Sequence, residues 1–546
     1  DALLQALQMQ DRLSEKLSRL YSYARMRRDE DNRNATYQAL TDRATSLLVQ
    51  IESAKAFFVP EILAMPEATL KGFVDAHAGL HMYSFLLDEL LRQKSHVLSA
   101  AEEQLLAAAG EVTSAPSQIF TMFNNADMKF PKIKNEQGEE VELTHGRYTH
   151  FLESRDRDVR KRAFAAMYST YEKHRNTLAA IHGASVKKDV FYAGVRKYDS
   201  ARAAALDEDN VPLSVYDNLI QSVHDSLPAL HKYLKLRKQV LNLDSLHMYD
   251  LYTPIVGEMD MKIPYSEAVE TVQRAISPLG EGYQETAKQG LAAGWVDVYE
   301  TVGKTSGAYS WGTYGVHPYI LLNYQDTLDN MFTLAHELGH AMHTYYSHES
   351  QPYVYSSYTI FVAEVASTCN EALLTDYLLK TTDDKQMKAY LLNHHLETLR
   401  GTLFRQTMFA EFEKLTHEYA EQGGALTPEW LSDTYYQLNN TYYGDVCEVD
   451  QEIAMEWSRI PHFYSPFYVY KYATGISAST ALSQKLLNEG QPAVDAYLSF
   501  LKSGGSDYPI ELLRRAGVDM ESPEPVRATL QQFSSMVDEL SALLGQ

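Results

Sequence analysis

The chain has little cysteine: two residues in 546, Cys369 and Cys447. That number excludes a disulfide framework, and no CxxC spacing offers a thiolate metal pair, so two buried free thiols in a reducing compartment are expected. Positive charge is scarce too. Against 72 Asp and Glu stand 49 Lys and Arg, a net charge of −23, with a pI near 5.3. Such a surface repels nucleic acid and anionic lipid, so neither nucleic acid nor membrane is expected as a partner. No apolar run approaches the ~18 residues that suggest a membrane span. Fixed-period repeats and low-complexity tracts are missing as well. No signal peptide is expected, because Asp1 leads straight into ALLQALQMQDRLSEKL, which has helical spacing. A cytoplasmic location is expected on these grounds. The absent initiator Met points to residues upstream of Asp1 that exist or were removed, a targeting segment among the alternatives.

What is present is ordinary for a folded protein: 45% hydrophobic and 22% charged residues. At this length one simple core does not suffice, and two or three subdomains are expected. The pattern is overwhelmingly helical. Leu3, Leu4, Leu7, Leu13, Leu17 and Leu20 predict one broad apolar face on a helix over residues 1–30. Further amphipathic segments lie near 37–57, 67–94 and 98–109. The pattern breaks around AAGEVTSAPSQ (108–118), which sets an N-terminal helical domain, 1–112, against a second domain, 113–546. Two short alternating runs flanking Asn135 to Gly138 predict a β-hairpin within 129–145. Helices resume over about 153–238 and 265–293. Residues 303–324, GKTSGAYSWGTYGVHPYILLNY, carry four glycines and several aromatics and read as the main β element, followed by helix from about 327. The fold class is therefore mainly α, with a small β-sheet close to the segment that carries chemistry.

That segment is DNMFTLAHELGHAMHTYYSH, residues 329–348. A helix turns 100° per residue, so His336 and His340, four apart, share a face and can bind one Zn²⁺ at about 2.0–2.1 Å each. Glu337 points elsewhere on the helix and can reach a water in the open coordination position as general base. Gly339 leaves room for another element to pack close. The competing view is a buried helix with two ordinary hydrogen-bonded histidines. A catalytic zinc needs a third protein ligand. The pattern HExxHxxGxxH fails, because position 343 is His and position 346 is Tyr. Among downstream carboxylates, Glu349 lies in a polar turn. Glu364 stands in the apolar helical stretch TIFVAEVASTCNEALL, where an unpaired charge is costly and a cation explains it. A buried arginine partner is the other explanation. Glu371, two turns on, can support a ligand from behind. His343 and Asp329 share the face of the ligands, with a supporting role and plain packing both open. The donor set of two His and one Glu favours zinc over manganese or cobalt without dictating it. Toward the C-terminus, His462, Tyr464, Tyr468, Tyr470 and Tyr472 crowd into RIPHFYSPFYVYKYATG. Aromatic hydroxyls are good donors to a developing oxyanion; an aromatic core patch is the plainer alternative.

The pair HELGHAMH and EVAST at this separation resembles the M3 family of zinc peptidases, and within it the oligoendopeptidase F type. The resemblance extends over nearly the whole chain, including YARMRRDEDNRNATYQALTDRA and FFVPEILAMPEATL near its start. It implies a zincin-like helical metallopeptidase with a deep substrate channel, one Zn²⁺ per chain and short unfolded peptides as substrates, cut at internal bonds. It implies ligands His336, His340 and Glu364, with Glu337 as general base. It also implies that His462, Tyr470 and Tyr464 act on the oxyanion, and that Gly307, Ala308, Tyr309 and Ser310 line the substrate path. Residues 113–546 would be the catalytic domain, and the family's chain continues upstream of Asp1. The rival readings are a zinc carboxypeptidase or other exopeptidase of similar build, and a non-catalytic helical peptide-binding protein. The sequence leaves oligomeric state open.

Overall fold

The computed structural model describes residues 1–257 and 261–546. Helices dominate, as the periodicity predicts. By their internal contacts the residues form two compact units. The first comprises Asp1–Ala100, Asp260–Thr381 and Ala478–Asp519; the second comprises Ala101–Met259, Thr382–Ser477 and Met520–Gln546.

In the first unit, the opening helix runs Ala2–Glu30. Its buried positions include Leu7 and Leu17, and Leu3 and Leu4 pack onto a cluster of Leu7, Ile62, Leu70, Leu80, Tyr83 and Leu87. The broad leucine face is narrower than its spacing suggests, since Leu13 and Leu20 are 37% and 39% exposed. The expected segment 67–94 is two helices, Glu67–Ala76 and Ser84–Arg92, separated by a 3₁₀ turn over Ala78–Tyr83. His77 starts that turn by accepting the Gly79 N–H on its ring.

This unit also holds the three-stranded sheet, order β4-β6-β5, with β4 Val296–Asp297, β5 Tyr309–Trp311 and β6 Tyr319–Leu321. β5 pairs antiparallel with β6, Ser310 opposite Ile320, and is an outer strand. The motif helix, Leu328–Ser350, begins where Thr327 accepts the Asn330 N–H at 3.2 Å. It ends at Gln351, just before Pro352. A second long helix, Ile360–Thr381, packs along it. Gly339 permits the contact: a Cβ there would meet Ser367 Cα at 2.5 Å and the Ala366 carbonyl oxygen at 2.6 Å. Asn370 fastens the pair by donating to the Ala335 carbonyl at 3.2 Å. Gly312 serves the strand similarly, since a Cβ there would lie 2.3 Å from Thr344 of the motif helix.

In the second unit, the predicted hairpin forms from β1 Lys132–Lys134 and β2 Glu140–Glu142, Ile133 opposite Val141. A two-stranded parallel ladder joins β3, Leu246–His247, to β7, Cys447–Glu448. Around 108–118 the expected break is slight. The helices Ala100–Thr113 and Ala115–Met122 meet at Ser114, with Pro116 in a first turn that needs no N–H from it. The buried carboxylates of Asp250 and Glu456 are paired: Arg157 and Arg160 both reach Asp250 at 2.8 Å, and Glu456 accepts from Arg405, Tyr168 and Tyr435. Cys369 and Cys447 are both buried free thiols. Among the described residues no helix is long and apolar enough to cross a membrane.

Candidate metal centre

The i, i+4 spacing places His336 and His340 side by side on the motif helix, Nε2 to Nε2 3.2 Å. Glu364 of the neighbouring helix points between them, its Oε2 3.4 Å from His336 Nε2 and 3.3 Å from His340 Nε2. Among the described residues this is the one group of three or more His, Cys, Asp or Glu side chains arranged to hold a metal ion. The fit to zinc can be tested on the edges. With bonds of about 2.0–2.1 Å, adjacent ligands of a tetrahedral Zn²⁺ stand about 3.3–3.4 Å apart. The three observed separations match a face of that tetrahedron and leave its fourth corner to a non-protein ligand.

The surroundings prepare these atoms. Glu371 binds His336 Nδ1, which commits the ring to presenting its Nε2 lone pair to a cation. Ser367 donates to Glu364 Oε2 at 3.0 Å and orients that carboxylate. Burial opposes a charge on His336, yet Glu364 and Glu371 overcome it and push its pKa up to about 10. Burial likewise opposes the ionised form of Glu364, and His336 and His340 hold its carboxyl far below the ordinary range regardless. Carboxylates that favour positive charge this strongly at the cluster suit a divalent cation.

Glu337 lies beside the cluster, 7% exposed. Burial raises its carboxyl above the usual range, opposed by the neighbouring histidines and by the Ser310 backbone N–H. Its Oε2 has no hydrogen-bond partner. Gly307 and Ala308 lead into β5 and line a cavity of about 330 Å³ with Asp329 and Thr333 of the motif helix. Tyr309 and Ser310 lie in β5 itself. His343 goes elsewhere: its ring is stacked on Tyr358, centroids 3.7 Å apart, and burial drops its pKa to about 3.

The aromatic segment belongs to the second unit. His462 is half-buried, its Nε2 3.3 Å from the Tyr472 hydroxyl, and burial lowers its pKa. Tyr464 stacks on Phe120 at 4.3 Å, and Tyr470 is fully buried with its ring 5.0 Å from Tyr216. Two contributors escaped the sequence reading. Ser367 stands three residues after Glu364, a spacing that brings its hydroxyl onto the same helix face as the carboxylate. Asn370 carries no such signal, because its acceptor is a backbone carbonyl.

Two imidazoles and a carboxylate converging on one point, with a second carboxylate adjacent, on a helical scaffold with a small sheet, define a metallopeptidase centre. The chain belongs to peptidase family M3. The profile described as Peptidase family M3 matches residues 150–532, and one described as Oligopeptidase F matches residues 61–130. The chain is 52% identical over 544 residues to oligopeptidase PepF of Bacillus subtilis (strain 168), covering all of this chain and 81% of that protein. It is 43% identical over 532 residues to an oligoendopeptidase F homolog of Lactococcus lactis subsp. lactis, covering 97% and 88%. The crystal structure of oligoendopeptidase-F from Enterococcus faecium superposes with a TM-score of 0.79 at 42% identity, covering 99% of this chain and 93% of that one. The protein is thus a metallopeptidase, a hydrolase of peptides.

Proposed function

We propose that the protein is a zinc-dependent oligoendopeptidase that cuts internal bonds of short unfolded peptides, with His336, His340 and Glu364 as ligands and Glu337 as general base. The observation that carries this reading is the set of three donor separations, 3.2, 3.3 and 3.4 Å, beside a carboxylate oxygen without a partner. Bound zinc would supply a Lewis acid for the scissile carbonyl and a water whose pKa falls toward ~7. Glu337 accepts that water's proton through its unpartnered Oε2 and returns it to the leaving amine. The Ser310 N–H favours the ionised form of the Glu337 carboxylate. The outer strand β5 and the residues leading into it, Gly307 to Ser310, receive an extended peptide through backbone hydrogen bonds that are indifferent to its sequence. Glu371 and Ser367 keep the ligands oriented. The proposal extends to His462, Tyr470 and Tyr464 as groups that lower the energy of the oxyanion, so their substitution is expected to reduce kcat.

A short peptide blocked at both ends provides the test. The wild type is expected to cut it internally, and Glu337→Gln to bind metal normally while kcat falls by about 10²–10⁴. Sparing of the blocked peptide, with trimming of a free-ended one from its terminus, would replace this reading with the exopeptidase one.

A further inference from the structure

One face of the opening helix carries a polar stripe that its leucine pattern hides. Ser18, Ser22, Arg25 and Asp29 follow one another at steps of four, three and four residues, a single helical face, and Asn32 follows just beyond the helix end. Each meets the segment 303–313. Ser18 Oγ lies 3.1 Å from Thr313 Oγ1. Trp311 donates its indole N–H to Ser22 Oγ at 2.8 Å, and the Arg25 guanidinium sits 4.4 Å over the same ring. The Tyr309 hydroxyl donates to Asp29 Oδ2 at 3.2 Å, while the Thr305 N–H donates to the Asp29 carbonyl at 2.8 Å. Asn32 Nδ2 reaches Thr305 Oγ1 at 2.8 Å, and the Asn32 N–H reaches the Gly303 carbonyl at 2.7 Å.

The partners 311 and 309 alternate along β5, and Thr313 follows two residues beyond it at the same spacing, so they mark one side of this segment. As the helix number rises the strand number falls, and the lengths agree. From Ser18 to Asp29 the helix advances about 16 Å, and from Thr313 to Tyr309 a strand advances about 13 Å. Ser22 and Asp29 are each only 2% exposed. Ser22 is satisfied by Trp311 of the strand, and Asp29 by Tyr309 of the strand together with Arg28, so loss of a strand partner carries a cost. The strand needs such support because β5 has a partner, β6, along one edge only.

We infer that the helix Ala2–Glu30 is a splint for the substrate strand, and that Ser22, Asp29 and Asn32 are positioning residues that hold β5 in register for an extended peptide. The inference rests on the proposed role of β5 as the peptide-binding strand. This helix lies outside both matched family segments, 61–130 and 150–532, so neither match assigns it that role. A loosened strand weakens backbone contacts made alike in the bound substrate and the transition state. The consequence is a raised KM with little change in kcat, larger for peptides long enough to use more of the strand.

The experiment compares Ser22→Ala, Trp311→Phe and the double variant on two doubly blocked peptides, one short and one longer, with zinc per chain measured alongside. Each single variant is expected to raise KM for the longer peptide about fivefold, less for the shorter, with kcat within about twofold. The double variant is expected to match the worse single one, because both substitutions remove the same hydrogen bond. Unchanged KM, additive effects, or an equal drop in kcat on both peptides would overturn the inference. In particular, an equal drop is what a partly unfolded sample gives. Failure of the underlying reading looks different: the wild type would then spare both blocked peptides, or Glu337→Gln would still cut them.

Discussion

At the scale of the residue, Glu371 can be isolated from the ligands it serves. It touches His336 on Nδ1, the nitrogen facing away from the three donors, and so acts on the metal only through that ring. Glu371→Ala is expected to keep the zinc ligands yet weaken zinc affinity about 10–100-fold, measured by competition with a chelator of known strength. Unaltered affinity would assign Glu371 to packing alone. This scale is also where the sequence speaks most clearly. Two histidines four apart need only helical geometry to share a face, and a carboxylate inside the apolar stretch TIFVAEVASTCNEALL asks for a cation beside it. Ser367 could be read from its spacing. The stacking of His343 on Tyr358 could not, since fifteen residues and a change of element separate them.

At the scale of the element, Gly339 decides how closely the two long helices approach. A methyl group there would meet backbone atoms of Ala366 and Ser367, which have no rotamer with which to retreat. Gly339→Ala is therefore expected to cost about 1–3 kcal/mol in urea unfolding and to lower zinc occupancy by pushing Glu364 away from the histidines. Normal stability and occupancy would show that the helices can slide apart freely. Much of the element order was legible, because apolar periodicity survives in a single sequence. The hairpin about Asn135–Gly138 and the start of the motif helix near 327 both follow from local chemistry. What failed was local reasoning about long-range partners. Leu13 and Leu20 look inward by spacing but stay exposed, while the polar stripe from Ser18 to Asn32 is buried in part by residues some 270–295 positions away.

At the scale of the whole molecule, folding stability depends on buried ionisable groups outside the ligand set. His182 is 2% exposed among Phe412, Trp457 and Phe463, and burial drops its pKa to about 3. The unfolded chain takes up a proton near pH 6.5 whereas the folded chain does not. Stability is therefore full above pH 6.5 and declines as pH falls toward 3, by at most about 1.4 kcal/mol per pH unit from this group. His182→Phe removes the contribution, so between pH 7 and pH 5 the variant is expected to lose about 2 kcal/mol less than the wild type in urea unfolding. Equal losses would place the acid sensitivity elsewhere. The zinc assignment itself underlies every functional claim, and metal content tests it most directly. Zinc per chain, by elemental analysis of samples never exposed to chelator, is predicted to be one for the wild type and for Glu337→Gln, and near zero for Glu364→Ala. A wild type without zinc, or full zinc in Glu364→Ala, would contradict the account.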